Sequence, residues 1–463
     1  MKKIVLYLFA GAILFSCSKP QEKPESANIS EIAEEAYTFA YPMLEHYKMM
    51  FAMAMYKESG AYEAPFNVLT NMTELSGPQD TIIVRPNNDT FYSAVWFDLR
   101  NQPYILEVPE ITDGRYYSFQ LIDMYTHNIG YIGSRATGLE EGAYLFAGPD
   151  WKGEIPDGIS KVFRSEGQFL LALGRTQVFG PADVEKAQEV MSHYQVKSLN
   201  ELLGIENTST SDMPELPPFD PVKIQNEHFI GYLNALMSYM EPHPSEEALF
   251  SKFAEIGVGP GVPFNAESLD EETRAAINGG IERAMEKIKL ESENLGIRKN
   301  GWQLVAGAFG DREAMQGKYL TRAAAAYFGL WGNDLEEAFY PETSLDAENE
   351  PLDGSKHNYI LHFESDELPP VNAFWSMTMY RLPAQLLVEN AINRYKIGSA
   401  TGGMKFNEDG SLDIYIQKDS PGKELETNWL PAYDGLFSLQ SRFYWPKEEG
   451  LDPLYAPPAV KKR

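Results

Sequence analysis

The sequence predicts an α+β protein, mainly β with an α insert: two related antiparallel β-sandwich or jelly-roll-like domains plus a helical subdomain. Three observations predict it. Short alternating apolar segments, broken by Gly-Pro, Asp-Gly, Pro-Asp and Asn-Asn turns, run from Thr81 to Phe179 and resume from Tyr359 to Trp445. Between these stretches the apolar residues fall at helical spacing. The two β-rich stretches also match each other in order, as a duplicated unit would. An aromatic content of 13%, with 26 Tyr and 25 Phe, agrees with a strand-rich core.

The 463 residues divide as 1–16 signal peptide, 17–29 tether, 30–181 N-terminal helix and first sandwich, 182–334 helical insert, and 335–463 second sandwich. Lys2 and Lys3 precede the apolar run Ile4 to Phe15. That run is shorter than the roughly 20 apolar residues a spanning helix needs. Leu14-Phe15-Ser16-Cys17 then resembles a lipobox, where a peptidase cuts ahead of a lipid-modified cysteine. Cys17 is the chain's one cysteine and the predicted lipidation site. Ser18 to Ile29 is polar and contains proline, as a flexible tether requires. The expectation is a bacterial lipoprotein of the cell envelope, periplasmic or surface-facing. Its membrane contact would run through palmitate-like acyl chains on Cys17.

Ser30 is placed to cap a helix from Glu31 to about Tyr56, which Pro42 should kink or interrupt. Strands are predicted at Thr81–Val84, Tyr92–Asp98, Tyr104–Val108, Tyr116–Asp123, Tyr144–Phe146 and Phe169–Leu173. A helix over Ala182–Leu203, with Asp183 near its start as a cap, opens the insert, and Gly204–Val222 is a Pro-rich linker. Helical spacing returns at Gln225–Met240, Ser245–Ile256 and Ala266–Leu295, the last with a Ser268/Glu271 capping box. Trp302–Leu330 is Ala-rich and helical in part, weakened by its glycines.

The repeat pairs Thr90-Phe91-Tyr92 with Ala338-Phe339-Tyr340, and Tyr104-Ile105-Leu106 with Tyr359-Ile360-Leu361. Tyr117-Ser118 pairs with Trp375-Ser376, and Arg175 with Arg442. Ile132-Gly133-Ser134-Arg135-Ala136-Thr137-Gly138 pairs with Ile397-Gly398-Ser399-Ala400-Thr401-Gly402, one residue shorter. Duplicated folds commonly pack together, and ligands often bind at such interfaces.

Sixty-seven acids against 39 bases give a net charge of −28, which disfavours nucleic acid as a partner. A single cysteine excludes an intramolecular disulfide and a cysteine-rich zinc site, and the seven His show no metal-binding spacing. No nucleophile elbow, Walker loop or dinucleotide fingerprint is present, so neither a metal nor a cofactor is expected.

Arg85-Pro-Asn-Asn-Asp-Thr-Phe-Tyr92 and the Gly114 to Tyr125 segment resemble the domain-of-unknown-function family numbered 1254. Phe374-Trp-Ser-Met-Thr-Met-Tyr380, Leu387-Val-Glu-Asn390 and Asn393-Arg-Tyr395-Lys-Ile-Gly398 resemble family 1214. The resemblance spans roughly residues 35 to 450. It implies a bilobal β-sandwich protein with a helical subdomain, and no activity. At His127 the chain departs from the small polar residue the family pattern suggests.

The ligand-pocket candidates are Arg85, Asn87, Asp89, Tyr92, Tyr117, Asp123, Tyr380, Asn390, Arg394 and Tyr395. In the Arg85–Tyr92 segment, Arg85 suits an anionic group and Asp89 acid–base work or a hydroxyl anchor. Alternatively the Asn and Asp side chains cap a turn and Arg85 pairs with Asp89. Asp123, Tyr125 and His127 alternate as if along a strand, either as a proton-transfer set or as a core network. Tyr380, Asn390, Arg394, Tyr395 and Trp429 suit carbohydrate stacking and hydroxyl recognition, or else a sandwich core with a buried Arg–carboxylate tie. Three functions follow as expectations. The first is binding of a small neutral or carbohydrate-like ligand between the lobes. The second is an envelope hydrolase or lyase using Asp89 with Arg85 or Tyr92. The third is a structural or assembly role, with a homo-oligomer left open.

Overall fold

The computed structural model describes residues 26–81, 84–206 and 212–463. Cys17, its lipobox and most of the tether lie outside the described residues, as do Ile82 and Ile83 of the predicted Thr81–Val84 strand.

Among the described residues the first lobe has nine strands: β1 Thr70–Met72, β2 Thr90–Asp98, β3 Tyr104–Val108, β4 Tyr117–Asp123, β5 Asn128–Gly133, β6 Gly142–Ala147, β7 Lys161–Arg164, β8 Phe169–Gln177 and β9 Gln195–Ser198. They form a five-stranded sheet, β1-β2-β8-β4-β5, and a four-stranded sheet, β7-β6-β3-β9. Strand β2 is buried on both faces. Phe91, Val95 and Phe97 pack toward the second sheet, whereas Ala94 and Trp96 pack toward the helices. A strand covered on both sides reads as nearly continuous apolar sequence rather than clean alternation.

The second lobe has β10 Ile297–Lys299, β11 Trp302–Leu304, β12 Ala338–Phe339, β13 Glu342–Thr343, β14 Tyr359–Phe363, β15 Val371–Arg381, β16 Lys396–Gly398, β17 Leu412–Gln417, β18 Trp429–Pro431, β19 Phe437–Pro446 and β20 Lys461–Lys462. One sheet runs β10-β11-β13-β19-β15-β16 with β12 also on β19; the other runs β18-β17-β14-β20. The duplication is a topological fact. Strands β2, β8, β4 and β5 answer to β12, β19, β15 and β16, and β7-β6-β3-β9 answers to β18-β17-β14-β20. Even the one parallel pair recurs, β6 with β7 and β17 with β18. The register agrees as well: Ser118 lies opposite Arg175 and Gly133, and Ser376 opposite Arg442 and Gly398.

The repeated Gly-Ser motif has a physical cause. A Cβ on Gly133 would collide with the Tyr117 carbonyl oxygen and Ser118 Cα; one on Gly398 would meet the Trp375 carbonyl oxygen and Ser376 Cα. Ser134 Oγ accepts the Tyr117 N–H at 3.0 Å and Ser399 Oγ the Trp375 N–H at 3.0 Å. Thr137 and Thr401 hydroxyls accept the N–H of Gly133 and Gly398, each at 3.0 Å. The motif pins an edge strand closely to its neighbour in both lobes.

Eight helices accompany the sheets among the described residues: α1 Ser26–Met50, α2 Val184–Ser192, α3 Leu199–Leu202, α4 Phe229–Met237, α5 Glu247–Phe253, α6 Glu271–Glu293, α7 Arg312–Met315 and α8 Tyr319–Gly329. Helix α1 is the spine of the helical unit. Ile32, Ala36, Phe39, Ala40, Met43 and Tyr47 lock it against α4, α6, α8 and the outer face of the five-stranded sheet.

Several local expectations are corrected. The first helix begins at Ser26, and Ser30 Oγ accepts a hydrogen bond from Arg283 rather than capping. Pro42 lies inside α1, which is not interrupted there; a five-residue π-turn, Phe51–Met55, follows it. An internal proline costs about 3 kcal/mol, which the burial of α1 along its length can offset. The predicted Ala182–Leu203 helix is α2, then β9, then α3. The segment before α3 is captured by pairing with β3, a tertiary contact that local propensity does not encode. Asp183 caps nothing through its side chain; its carboxylate holds Arg115. Helix α6 is capped by Asp270, not Ser268. The 182–334 stretch also supplies β10 and β11 to the second lobe.

Candidate functional site

The lobes meet through a buried polar network that each builds from the segment entering its first repeated strand. Arg85 adopts a left-handed backbone, φ 53°, and its N–H donates to the Gln385 carbonyl at 2.8 Å. Asn87 Oδ1 accepts the Asp89 N–H at 2.7 Å, so an Asx turn starts β2 and aims Asp89 across the interface. There the Asp89 carboxylate meets Lys396 Nζ at 3.0 Å, Ser376 Oγ–H at 2.6 Å and the Tyr444 hydroxyl at 3.4 Å. Asn87 Nδ2 donates to the hydroxyls of Tyr92 and Tyr444, each at 3.0 Å.

The exchange is reciprocal. Glu337, which precedes Ala338-Phe339-Tyr340 as Asp89 precedes Thr90-Phe91-Tyr92, reaches back into the first lobe. It accepts from Tyr116 OH at 2.5 Å and Arg135 Nε at 2.6 Å. The two repeated arginines, Arg442 and Arg175, are buried near this network. Arg442 donates to Thr378 Oγ1 at 2.9 Å and Tyr380 OH at 2.6 Å, and Tyr380 OH donates to the Pro86 carbonyl at 2.8 Å. Arg175 donates to Gln120 Oε1 at 2.9 Å and lies over the Tyr92 ring. Burial alone would raise the Asp89 pKa. The charges of Lys396 and Arg442, with hydrogen bonds from Ser376 and Lys396, outweigh it and hold the carboxyl below its usual range.

Beside this network the lobes leave a cleft of about 320 Å³. Its walls carry repeat-equivalent residues from the two lobes: Gly114 and Asn372, Tyr116 and Phe374, Ser134 and Ser399. The cleft is therefore lined by corresponding positions of the two lobes. Gln177, Phe179 and Trp445 complete its polar and aromatic surface. No Asp, Glu, Lys, Arg or His lines it. Trp445 adopts φ 50°, a left-handed backbone that is strained for a bulky residue.

Of the residues singled out from sequence, Arg85, Asn87, Asp89, Tyr92 and Tyr380 converge on the network. Arg85 pairs with Glu342 at 3.0 Å rather than with Asp89, because Asp89 is turned toward Lys396. Tyr117 points the other way, into the first sandwich core, as the residue between Tyr116 and Ser118 must. Asp123 lies at the opposite end of β4, where the chain turns at Thr126. Asp123 is thus the last residue of β4, and Tyr125 and His127 lie in the hairpin turn that follows rather than along a strand. There Asp123 Oδ1 accepts the His127 N–H at 2.8 Å, and the Tyr125 and His127 rings stack 5.7 Å apart. Asn390 and Arg394 organise a loop: Asn390 bonds the Arg394 backbone, and Arg394 Nη1 donates to the Glu426 and Trp429 carbonyls at 2.7 and 2.8 Å. The arginine is tied to carbonyls, not to a carboxylate. Neither residue, nor the neighbouring Tyr395, lines the cleft.

Sequence reasoning missed Glu337, Ser376, Lys396 and Tyr444 as partners. Arg175, Arg442 and Ser376 were visible as repeat positions, which was the available signal. Among the described residues no group of three or more His, Cys, Asp or Glu is placed to hold a metal ion, and no helix is long and apolar enough to cross a membrane.

Fold and network together define a duplicated sandwich protein in which each lobe sends a buried carboxylate into the other. The VPA0106 protein of Vibrio parahaemolyticus shares this fold, with a TM-score of 0.77, 26% identity, and coverage of 94% of this chain and 100% of that one. An uncharacterized protein of Burkholderia cenocepacia aligns over 94% of each chain at 10% identity and TM-score 0.43, too distant to argue from. The search of curated proteins gave no match. Residues 66–198 match the family described as protein of unknown function DUF1254, and residues 337–448 match protein of unknown function DUF1214. The first match falls in the first lobe and the second in the second lobe.

Proposed function

We propose that this protein binds a small, neutral, carbohydrate-like ligand in the inter-lobe cleft, and that it does so in the bacterial cell envelope, lipid-anchored through Cys17. The observation that carries the ligand class is the cleft lining. Its side chains offer flat aromatic faces, hydroxyls and amides, and no full charge. Such a surface rewards a ligand with an apolar face and a hydroxyl edge, whereas an ion entering it would lose hydration without a counter-charge. The anchor rests on the Leu14-Phe15-Ser16-Cys17 motif.

A hydrolase or lyase centred on Asp89 draws less support. The Asp89 residue is 1% exposed, and its carboxylate already faces Lys396 and Ser376, so it is better suited to holding the lobes than to meeting substrate.

Native mass spectrometry on the protein purified gently from its own host tests the reading. One uncharged small molecule retained per chain is expected. An empty chain that also binds no member of a neutral saccharide set overturns it, and an empty species at a defined multiple of the chain mass favours assembly instead.

A further inference from the structure

A second, much smaller space lies away from the cleft, between the β4–β5 turn and α8. It measures about 10 Å³. That is room for one water molecule, which needs about 10–15 Å³ on this measure, and far too little for a substrate. Most of its wall is apolar, with Phe309, Met315 and Ala325 among the lining residues. Three polar side chains interrupt it: Thr126, Asn128 and Arg322.

Arg322 is 5% exposed. Its Nη2 donates to the Tyr125 carbonyl, but its Nε–H has no protein partner. Asn128 is fully used: its Nδ2 donates to the Gly332 carbonyl at 3.1 Å and Asp334 Oδ1 at 2.7 Å, and its Oδ1 accepts from Gln120. The Gly310 carbonyl accepts only the Asn128 N–H, at 3.0 Å, and keeps a lone pair. A buried charged donor without a protein partner, beside a water-sized space, is the arrangement that internal water resolves in folded proteins. Thr126 and Trp331 both adopt left-handed backbones, φ 67° and 66°, and the Trp331 indole N–H donates to His46 Nδ1 at 2.8 Å. An anion is disfavoured by the size of the space and by the Asp123 and Glu246 charges that Arg322 already feels.

We propose that this cavity is a binding site for one ordered water molecule, which accepts the Arg322 Nε–H and bonds onward to Thr126 or the Gly310 carbonyl, joining the β4–β5 turn to α8. A high-resolution crystal structure of the whole protein tests it. A single water-sized density peak within hydrogen-bonding distance of Arg322 Nε is expected. A dry cavity, an Arg322 Nε bonded to protein, or a larger molecule there overturns the proposal. In solution, protein labelled with nitrogen-15 at arginine should show a cross-peak between water and one buried Hε, assigned by its loss in Arg322→Lys. Absence of that cross-peak in the wild type overturns it equally.

Discussion

Asp89→Asn isolates the charge of the inter-lobe lock while leaving its shape. The amide can still accept from Ser376, but Lys396, 3.0 Å away, loses its counter-ion. Removing one member of a buried ion pair costs about 3–5 kcal/mol, because the other charge stays desolvated. The Lys396 side chain is 20% exposed, so it can regain part of its hydration, and the lower end, about 3 kcal/mol, is the expected loss. For a cooperative unit of about 150–250 residues that is a fall in Tm of about 6–12 °C. Urea unfolding at neutral pH, monitored by tryptophan fluorescence, measures it. Lys396→Met in the same background should cost less than it does alone, since the two residues are one interaction. A loss under about 1 kcal/mol, or strict additivity of the pair, refutes the reasoning. The pH dependence has a definite sign. Because the folded Asp89 pKa is lowered, its contribution is complete above the unfolded value of about 4 and is lost as pH falls through the folded value. Stability profiles of wild type and Asp89→Asn should therefore converge as pH drops below about 4.

Three further outcomes are expected. Gly133→Ala and Gly398→Ala should each destabilise by about 2–4 kcal/mol in denaturant titration, since each added Cβ strikes neighbouring backbone; equal tolerance of both would contradict the close approach. Asp334 has its pKa pushed up to about 6, chiefly by burial, and its charge opposes folding above that pH. Asp334→Asn should stabilise the protein by about 1–2 kcal/mol at pH 8 and by nothing at pH 4, read by thermal melts at the two pH values. Glu337→Gln leaves the Tyr116 hydrogen bond an acceptor but strips Arg135 of its carboxylate, 2.6 Å away; Arg135 is 25% exposed, so the loss should be about 1–3 kcal/mol, smaller than at Asp89, and the reverse order would contradict the burial argument.

Much of the architecture was legible because the sequence is duplicated. Tyr117-Ser118 against Trp375-Ser376, and Arg175 against Arg442, are matches in spatial register as well as in order. The Gly-Ser-Thr motif was visible as a repeat, although only the structure supplies its cause, the contact of Gly133 with the Tyr117–Ser118 backbone. Short strands such as β5, β7, β9 and β10 escaped because each is held by pairing rather than by its own pattern. The Arg85–Tyr92 segment was recognisable as a turn, since Asn87 caps Asp89 through neighbours in sequence. Its destination was not, because Ser376 and Lys396 lie about 300 positions downstream and local sequence carries no trace of that contact. The cleft was expected only as a consequence of two lobes. Its neutrality arises from residues such as Asn372 and Trp445 that look unremarkable in isolation.

The most direct test of ligand binding in the cleft is Trp445→Gly, followed by native mass spectrometry against the wild type. Glycine accepts the φ of 50° without strain, so relief of about 1–2 kcal/mol offsets part of the lost indole packing and the fold should survive. The wild type is expected to carry a neutral ligand, and the variant, with a near-native melting curve, is expected to carry none. A ligand retained by Trp445→Gly at wild-type occupancy would contradict binding in this cleft.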